Sequence, residues 1–490
     1  MRVAHDAILA LDVGTTSAKA LVVSLSSGDV LARAAVPVSL VLTGPGWVEQ
    51  DPGELVNATL SAATQALRSA EDVRVAGVGL TNQRESVAMW DRRSGEPLGP
   101  VISWQDSRAA PSLTGWSHEA RDDVKRITGL TLDAMYSAPK MRWLLDEYDA
   151  RTRDVVVGTV DSWIVRVLTG TTAIEAGNAS RTLLLSLSTG DWDAGLLDAF
   201  DVPRSVLPDV RASDAGFGVT GTGMPVPAGV PVAAALADSH AALFAYGDAG
   251  IAKATYGTGT SVMVRLPRLE SPNPGMDTTV AWWRERPTYA QEGNVLATGQ
   301  AIDWVASLIE PGSSRPGGVV VSEAAATVDD SGGVTLVPAF TGLGAPHWDR
   351  SAVAVMSGMT SQTTPAHLAR AALECVAHQV ADLVDAQGRD GHEGVDVLHV
   401  DGGVSSSDLL VAVQADLLGR PVVRSTESGL SALGVARLAA EVLGYPAPSL
   451  RTDPPVEPRM DDAQRLLLRD RWRAEVHRAR FVASGEGVST

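Results

Sequence analysis

The sequence predicts an α/β protein with two similar halves. Short apolar runs rich in β-branched residues alternate with stretches of helical spacing, a mixture typical of α/β folds. A hydroxyl-rich turn between two apolar runs at residues 8–23 (ILALDVGTTSAKALVV) has a counterpart at residues 251–264 (IAKATYGTGTSVMV). This repeat, at about half the chain length, predicts two related domains joined near residue 247.

The individual elements follow from the same patterns. The predicted strands are 8–12, 18–23, 76–80, 154–158, 231–236, 262–265, 334–337, 397–400 and 420–423. The predicted helices are 53–69, 138–149, 365–387 and 407–418. We therefore place a first domain at residues 1–247 and a second at residues 248–490.

The composition is that of a globular protein and excludes several classes of partner. The 490 residues are enough for two large domains. The net charge of −18 would repel nucleic acid and anionic membranes, so we expect neither as a partner. Cys375 is the only cysteine, no signal peptide is recognisable, and no apolar run reaches the roughly 18 residues that span a bilayer. We expect a cytoplasmic protein.

The turn at residues 12–17 has the composition of a phosphate site. A tight turn between two strands directs consecutive backbone N–H groups to one point, where they can bind an anion. Gly14 permits positive φ and a close approach, and Thr15, Thr16 and Ser17 add hydroxyl donors. Asp12 at the end of the strand suits Mg²⁺. From these residues alone, an ordinary hairpin with small turn residues remains the alternative.

Two further turns have similar chemistry. Residues 256–260 (YGTGT) form the second candidate phosphate turn. Residues 400–404 (VDGGV) follow a predicted strand and open the helix predicted near Ser407, a position that suits a nucleotide. The patterns of P-loop ATPases, dehydrogenases, serine hydrolases and zinc enzymes are missing from the sequence.

These motifs resemble the FGGY family of carbohydrate kinases, and most of all its glycerol kinase branch. The resemblance extends over almost the whole chain and includes LDVGTTSAKA, NQRE (82–85), WQDSR (104–108), NASRTLL (178–184), ATYGTGTSV (254–262), the segment 353–374 and VDGGVSSSDLL (400–410). It implies two actin-like (ribonuclease-H-like) domains with ATP and a sugar in the cleft between them.

The resemblance also implies roles for individual residues. Asp238 takes the position of the general base, and a strand predicted just before it would place it at a cleft; helix N-capping is the alternative from the residues alone. Arg84 and Glu85 match a pair that binds polyol hydroxyls, and Trp104 matches an aromatic residue packed on the substrate. Without the resemblance these three would be read as a surface ion pair and a core residue.

The implied nucleotide site contains Mg²⁺ and ATP. The metal carboxylate is Asp12, and Lys19 stands where glycerol kinases have Arg. The other predicted nucleotide contacts are Thr15, Thr16, Ser17, Thr258, Gly259, Gly299, Gly403 and Ser407, the last in place of the family's usual Asn.

Departures from the glycerol kinase pattern affect the substrate pocket. Met135 stands where glycerol kinases have Tyr, so either the aromatic residue has moved to Tyr136 or the register slips by one. Ser239 replaces a Gln, and Ser261 replaces a Phe. These changes would enlarge the pocket and remove polar contacts, so the substrate is glycerol or a related larger polyol or ketose.

Three other functions stay open at this point. They are a xylulokinase-type pentulose kinase, a non-catalytic sugar-sensing protein on the kinase fold, and an actin- or chaperone-like ATPase. The expected partner is a small-molecule polyol or sugar, and the resemblance leaves a homodimer open.

Overall fold

Two mixed sheets form the centres of the two domains. The computed structural model describes residues 5–247, 252–266, 268–270, 273, 275–388, 395–448 and 450–481. The predicted junction after residue 247 borders residues 248–251, which lie outside the described residues.

The strands and helices have the following bounds. The strands are β1 (His5–Val13), β2 (Ser17–Ser24), β3 (Val30–Pro37), β4 (Val41–Gly44), β5 (Trp47–Gln50), β6 (Val73–Asn82), β7 (Val87–Asp91), β8 (Val101–Ile102), β9 (Val155–Thr159), β10 (Ala173–Glu175), β11 (Leu185–Ser186), β12 (Asp191–Trp192), β13 (Asp209–Arg211), β14 (Val232–Ala237), β15 (Ala252–Tyr256), β16 (Thr260–Leu266), β17 (Asp277–Trp283), β18 (Pro287–Val295), β19 (Thr335–Val337), β20 (Val355–Ser357), β21 (Leu398–Asp401) and β22 (Val422–Arg424). The helices are α1 (Pro52–Ser69), α2 (His118–Thr128), α3 (Ser137–Glu147), α4 (Val160–Thr169), α5 (Ala176–Ser180), α6 (Ala194–Phe200), α7 (Asp238–Phe244), α8 (Gly299–Ile309), α9 (Gly317–Ala325), α10 (Pro365–Gly388), α11 (Asp408–Leu418), α12 (Leu430–Val442) and α13 (Asp462–Phe481). Short 3₁₀ turns lie at Ala110–Leu113, Arg204–Val206 and Gly403–Ser406.

The two central sheets share one strand arrangement. The first has the order β3-β2-β1-β6-β14, and the second has the order β18-β16-β15-β21-β22, with β17 added at its edge. In each sheet the first three strands of this order are antiparallel and end at β1 or at β15. The next two strands run parallel to β1 in the first sheet and parallel to β15 in the second. The repeat read from the two hydroxyl-rich turns therefore corresponds to a repeated topology.

The predicted elements overlap the observed ones. Each of the nine predicted strands overlaps a strand of the structure, and each of the four predicted helices overlaps a helix. The main shift is at β22, which begins at Val422 rather than residue 420. Pro421 has no N–H to donate, which is why the strand begins after it.

Helix α12 joins the second domain to the first. Its apolar residues Leu433 and Val435 share a core with Ile8 and Leu21 of the first sheet. Gly79 on β6 allows the approach, because a Cβ atom there would lie 2.8 Å from the carbonyl oxygen of Val435. The helix crosses β1, β6 and α7 at the base of the cleft.

The β17–β18 hairpin makes a second connection between the domains. Its residues Val280 and Tyr289 are buried in the core that Tyr136, Leu144 and Leu145 form in the first domain. The hairpin thereby brings residues of the second domain next to the predicted polyol site. Within the described residues, every helix is too short or too polar to cross a bilayer.

Gly434 offers a test of the close packing at α12. A Cβ atom there would overlap the carbonyl oxygen of Ala241 on α7. Overpacking of this kind costs about 1–3 kcal/mol, so we expect Gly434→Ala to lower the melting temperature measured by thermal denaturation. Gly318→Ala is the matched control, because a Cβ atom there meets nothing within 4 Å. An unchanged melting temperature for Gly434→Ala would contradict the packing described here.

Candidate active site

The first predicted phosphate turn joins β1 to β2. The N–H of Gly14 donates to the carbonyl oxygen of Ser17 at 3.1 Å. A Cβ atom at position 14 would lie 2.9 Å from that oxygen, so the close approach requires glycine. The expectation of a positive φ at Gly14 is wrong, because the backbone of Gly14 lies outside the left-handed region. Thr16 is exposed at the tip, and Thr15 is half-buried beside it.

The second and third turns lie next to each other in the second domain. Thr258 is exposed, and the N–H of Gly299 at the start of α8 donates to the carbonyl oxygen of Gly257 at 3.0 Å. Gly402 has a φ of 94°, and a Cβ atom there would overlap the carbonyl oxygen of Tyr256. This packing brings the DGG turn against the strand that leads into the YGTGT turn.

The helix expected near Ser407 after the third turn is α11, which begins at Asp408. The positive φ of Gly402 redirects the chain, and the 3₁₀ turn Gly403–Ser406 follows before α11 begins. Ser407 caps α11 by accepting the N–H of Leu410 at 3.3 Å. The hydroxyl of Ser322 also donates to the Ser407 oxygen at 2.8 Å, so two contacts fix this hydroxyl.

A cavity of about 560 Å³ lies between the domains. Residues of β15, β21, the turn that follows β21, the 425–429 loop and the start of α12 form its wall on the second domain. It brings together five of the predicted site residues: Asp12, Lys19, Asp238, Ser239 and Gly403. The other predicted residues lie outside its lining: Thr15, Thr16, Ser17, Arg84, Glu85, Trp104, Met135, Tyr136, Thr258, Gly259, Ser261, Gly299 and Ser407.

Asp238 stands at the carboxyl end of β14, as its strand-then-helix context predicted. It is the first residue of α7, and Ala237 takes the N-cap position, so the N-cap alternative is wrong. Its Oδ1 accepts the N–H of Ser239 at 2.6 Å and lies 3.3 Å from Nε of Arg84. Burial raises the pKa of Asp238 above its ordinary value, and the charge of Arg84 opposes this. A carboxylate of raised pKa is better suited to accept a proton at neutral pH.

Asp12 fits a divalent cation. Its side chain is 7% exposed, and its ion-pair partner, Nζ of the half-exposed Lys19, lies 3.4 Å away. Burial raises the pKa of Asp12 to about 6, and the nearby charge of Asp238 adds to this effect. Among the described residues no group of three or more His, Cys, Asp or Glu could hold a metal. Mg²⁺ in kinase sites needs only one or two carboxylates, with phosphates and water as the other ligands.

Arg84 and Glu85 are buried, which excludes a surface ion pair. Their side chains are 11% and 5% exposed and approach each other only to 3.9 Å. Arg84 instead makes a bidentate contact with Glu292, at 2.7 Å and 2.8 Å. Glu85 accepts Nε–H of Arg181 at 2.6 Å. Glu85 has a φ of 62°, an uncommon backbone for a residue with a side chain and one associated with functional sites.

Trp104 contacts both the first turn and Ser86, the residue that follows Glu85. Its indole N–H donates to Oγ1 of Thr15 at 3.1 Å, and its backbone N–H donates to Oγ of Ser86 at 3.0 Å. The side chain is half-buried rather than part of the core. Gln50 supports the same turn by donating to the carbonyl oxygen of Thr15 at 2.8 Å.

The residues at the three departures, and the neighbouring Tyr136, lie in different surroundings. Tyr136 is buried, with its hydroxyl donating to Asp277 at 2.6 Å. Met135 is half-buried, and Ser239 lines the cavity. Ser261 donates its hydroxyl proton to Oε1 of Glu292 at 2.9 Å.

Sequence reasoning missed Glu292, Arg181 and Asp277. Arg181 lies within the NASRTLL motif, which was a usable signal. Glu292 lies in the polar run YAQEGN (289–294), whose pattern does not indicate the buried strand that the structure shows.

Two family models cover most of the chain. The model of the N-terminal domain of the FGGY family of carbohydrate kinases matches residues 7–245, and the model of its C-terminal domain matches residues 252–442. The chain belongs to the FGGY family of carbohydrate kinases. The resemblance stated from the motifs is therefore confirmed, and the protein is an ATP-dependent sugar or polyol kinase.

Individual relatives cover nearly the full length of the FGGY kinase described here. A glycerol kinase of Deinococcus radiodurans is 41% identical, over 97% of this chain and 98% of the relative. An apulose kinase of Pectobacterium atrosepticum is 39% identical over the same shares. The crystal structure of Plasmodium falciparum glycerol kinase with ADP superimposes with a TM-score of 0.89 at 27% identity, covering 97% of this chain and 98% of that chain. The predicted two-domain actin-like architecture is confirmed.

Proposed function

We propose that this FGGY kinase transfers the γ-phosphoryl group of ATP to a hydroxyl of glycerol or of a related, larger polyol or ketose. The observation that supports the proposal most is the position of Asp238. Its carboxylate reaches the interdomain cavity, lies 3.3 Å from Arg84, and faces a wall that contains the Gly402–Gly403 turn. The candidate base therefore lies between a candidate phosphate turn, across the cavity, and the cation proposed to bind hydroxyls, which contacts it from outside the cavity lining.

Asp238 takes the proton of the attacking hydroxyl as the phosphoryl group transfers. Arg84 and Glu85 bind the neighbouring hydroxyls. Two of the five N–H donors of Arg84 are engaged by Glu292, which leaves three for the substrate and Asp238. Glu85 has one oxygen engaged by Arg181 and can accept a hydroxyl proton through its second oxygen. Trp104 packs on the carbon chain.

The phosphates bind at the backbone turns of both domains. Thr15, Thr16, Ser17 and Lys19 serve the first domain, and Thr258, Gly259, Gly299, Gly403 and Ser407 serve the second. Asp12 would hold Mg²⁺, which neutralises charge on the phosphates when bound. Closure of the domains around both ligands would exclude water and limit hydrolysis of ATP. The homodimer and the cytoplasmic location stay predictions.

The identity of the substrate is the more specific part of this proposal. The glycerol kinase and apulose kinase relatives are almost equally similar to this chain, so overall identity does not decide between a triol and a ketose. Ser261 stands beside Glu292 at the polyol end, where glycerol kinases have Phe, and its small side chain leaves more room. A four- or five-carbon ketose is therefore the second candidate.

Asp238→Asn tests the assignment of the base. The amide keeps the shape but cannot accept the proton, so we expect kcat to fall by about 10²- to 10⁴-fold. ADP release would be measured with Mg-ATP and the best polyol, and nucleotide binding by calorimetry should be retained. Asp154→Asn, at a largely exposed carboxylate paired with Arg92, is the matched control. Turnover near that of the wild type would remove Asp238 from the mechanism.

Ser261→Phe tests the substrate size. ADP release would be compared with glycerol, erythritol, xylitol, D- and L-xylulose, ribulose, rhamnulose and apulose. If the wild type prefers a four- or five-carbon substrate, the added ring should shift the kcat/KM ratio about 10-fold toward glycerol, because it fills the added space. Ser261→Ala, which removes the hydroxyl without adding volume, should not produce that shift. An unchanged ratio in Ser261→Phe would exclude Ser261 as a specificity residue.

A further inference from the structure

We propose that Glu292, a residue of the second domain, is a positioning residue that orients Arg84 of the first domain toward the hydroxyls of the substrate. Arg181, held by the same carboxylate, orients Glu85. This inference rests on the proposed function, because it assigns Arg84 and Glu85 to the polyol.

The four side chains form one buried chain of alternating charge. Glu85 contacts Arg181 at 2.6 Å, Arg181 contacts Glu292 at 3.0 Å, and Glu292 contacts Arg84 at 2.7 Å. The chain ends at Asp238, 3.3 Å from Arg84. Glu292 and Arg181 are each 1% exposed, so water cannot replace either partner.

Glu292 determines the orientation of Arg84 because it makes the only bidentate contact of that guanidinium among the described residues. Both carboxylate oxygens of Glu292 accept from Arg84, and a fork of this kind fixes the plane of the guanidinium. The contacts to Asp238 and Glu85 are single and longer, at 3.3 Å and 3.9 Å. The donors that Glu292 leaves free include Nε–H, which is on the side of Asp238.

The arrangement of charges on the β17–β18 hairpin favours the contact of Glu292 with Arg84 and Arg181. Glu292 on β18 lies directly opposite Asp277 on β17, so two carboxylates occupy one face of the hairpin. Like charges in this arrangement repel each other unless cations compensate them. Lys125 compensates Asp277 at 2.6 Å, while Arg84 and Arg181 compensate Glu292. All three cations belong to the first domain.

Glu292 remains charged in these surroundings. Burial alone would raise the pKa of Glu292, but Arg84 and Arg181 bring that pKa well below its ordinary value. Ser261 adds a third donor to the same carboxylate at 2.9 Å. The alternative is that the ion pairs serve only the stability of the domain interface, and buried ion pairs do not always contribute even that.

A double-mutant cycle separates positioning from stability. The variants are Glu292→Gln, which removes the charge at constant shape, and Glu292→Asp, which keeps the charge but withdraws it by one methylene group. Each is made alone and combined with Arg84→Lys, which cannot form the fork. The control is Asp382→Asn, because Asp382 pairs with the buried Arg469 at 2.6 Å, away from the cavity lining.

The substrates are the best polyol of the panel and its deoxy analogue, which lacks the hydroxyl next to the one that is phosphorylated. We expect kcat/KM for the polyol to fall roughly 100-fold in either Glu292 variant, since small displacements of a substrate-binding group have effects of this size. The loss for the deoxy analogue should be about 10-fold smaller. KM for ATP should not change, and Arg84→Lys should mask most of the effect of the Glu292 change.

Equal losses of kcat/KM for the two substrates in the Glu292 variants would overturn the inference. So would full additivity of the Glu292 change with Arg84→Lys, or Glu292 variants whose kinetics match those of the control Asp382→Asn. If Glu292→Gln does not fold, Glu292→Asp alone decides between these outcomes. A wild type with no polyol-dependent ADP release would overturn the proposed function and the inference together. An active wild type with unaffected Glu292 variants would overturn only the inference.

Discussion

A carboxylate as deeply buried as Glu292 must be compensated by cations, and this requirement determines how the two domains meet at the proposed polyol site. Its partners Arg84 and Arg181 belong to the first domain, while Glu292 lies on the β17–β18 hairpin of the second. Separation of the domains at this point would remove both cationic partners of Glu292 and the bidentate partner of Arg84. The interface and the residues proposed to bind the substrate are therefore held by the same contacts.

Asp12 and Asp238 at the cavity differ from Glu292 because their charge is poorly compensated. Asp12 has one half-exposed lysine at 3.4 Å, and Asp238 has one contact with Arg84 at 3.3 Å. Burial raises the pKa of both, to about 6 for Asp12. Such groups lower their free energy by taking a metal ion or a proton, which is the chemistry that phosphoryl transfer requires. A carboxylate whose charge is compensated by cations thus fixes the positions of its neighbours, whereas Asp12 and Asp238 can take up a metal ion or a proton.

Local sequence patterns were sufficient for the fold but not for the charge network. Asp238 could be placed because an apolar strand ends directly before it, a relation between neighbouring residues. The partner of Arg84 could not be found, because Glu292 is 208 residues away along the chain. Glu85 was assigned to its neighbour Arg84, whereas its close contact is Arg181, 96 residues away. Ion pairs are determined by tertiary contacts, which the spacing of residues does not reveal.

Contacts between the domains assemble the proposed polyol site before any ligand binds. Calorimetric titration of the best polyol into the wild type, with and without ADP, tests this claim most directly. Because Arg84 and Glu85 are already held by Glu292 and Arg181, the account predicts that the polyol binds without nucleotide, with a Kd similar to that measured with ADP. Binding that is detectable only in the presence of nucleotide would contradict the account.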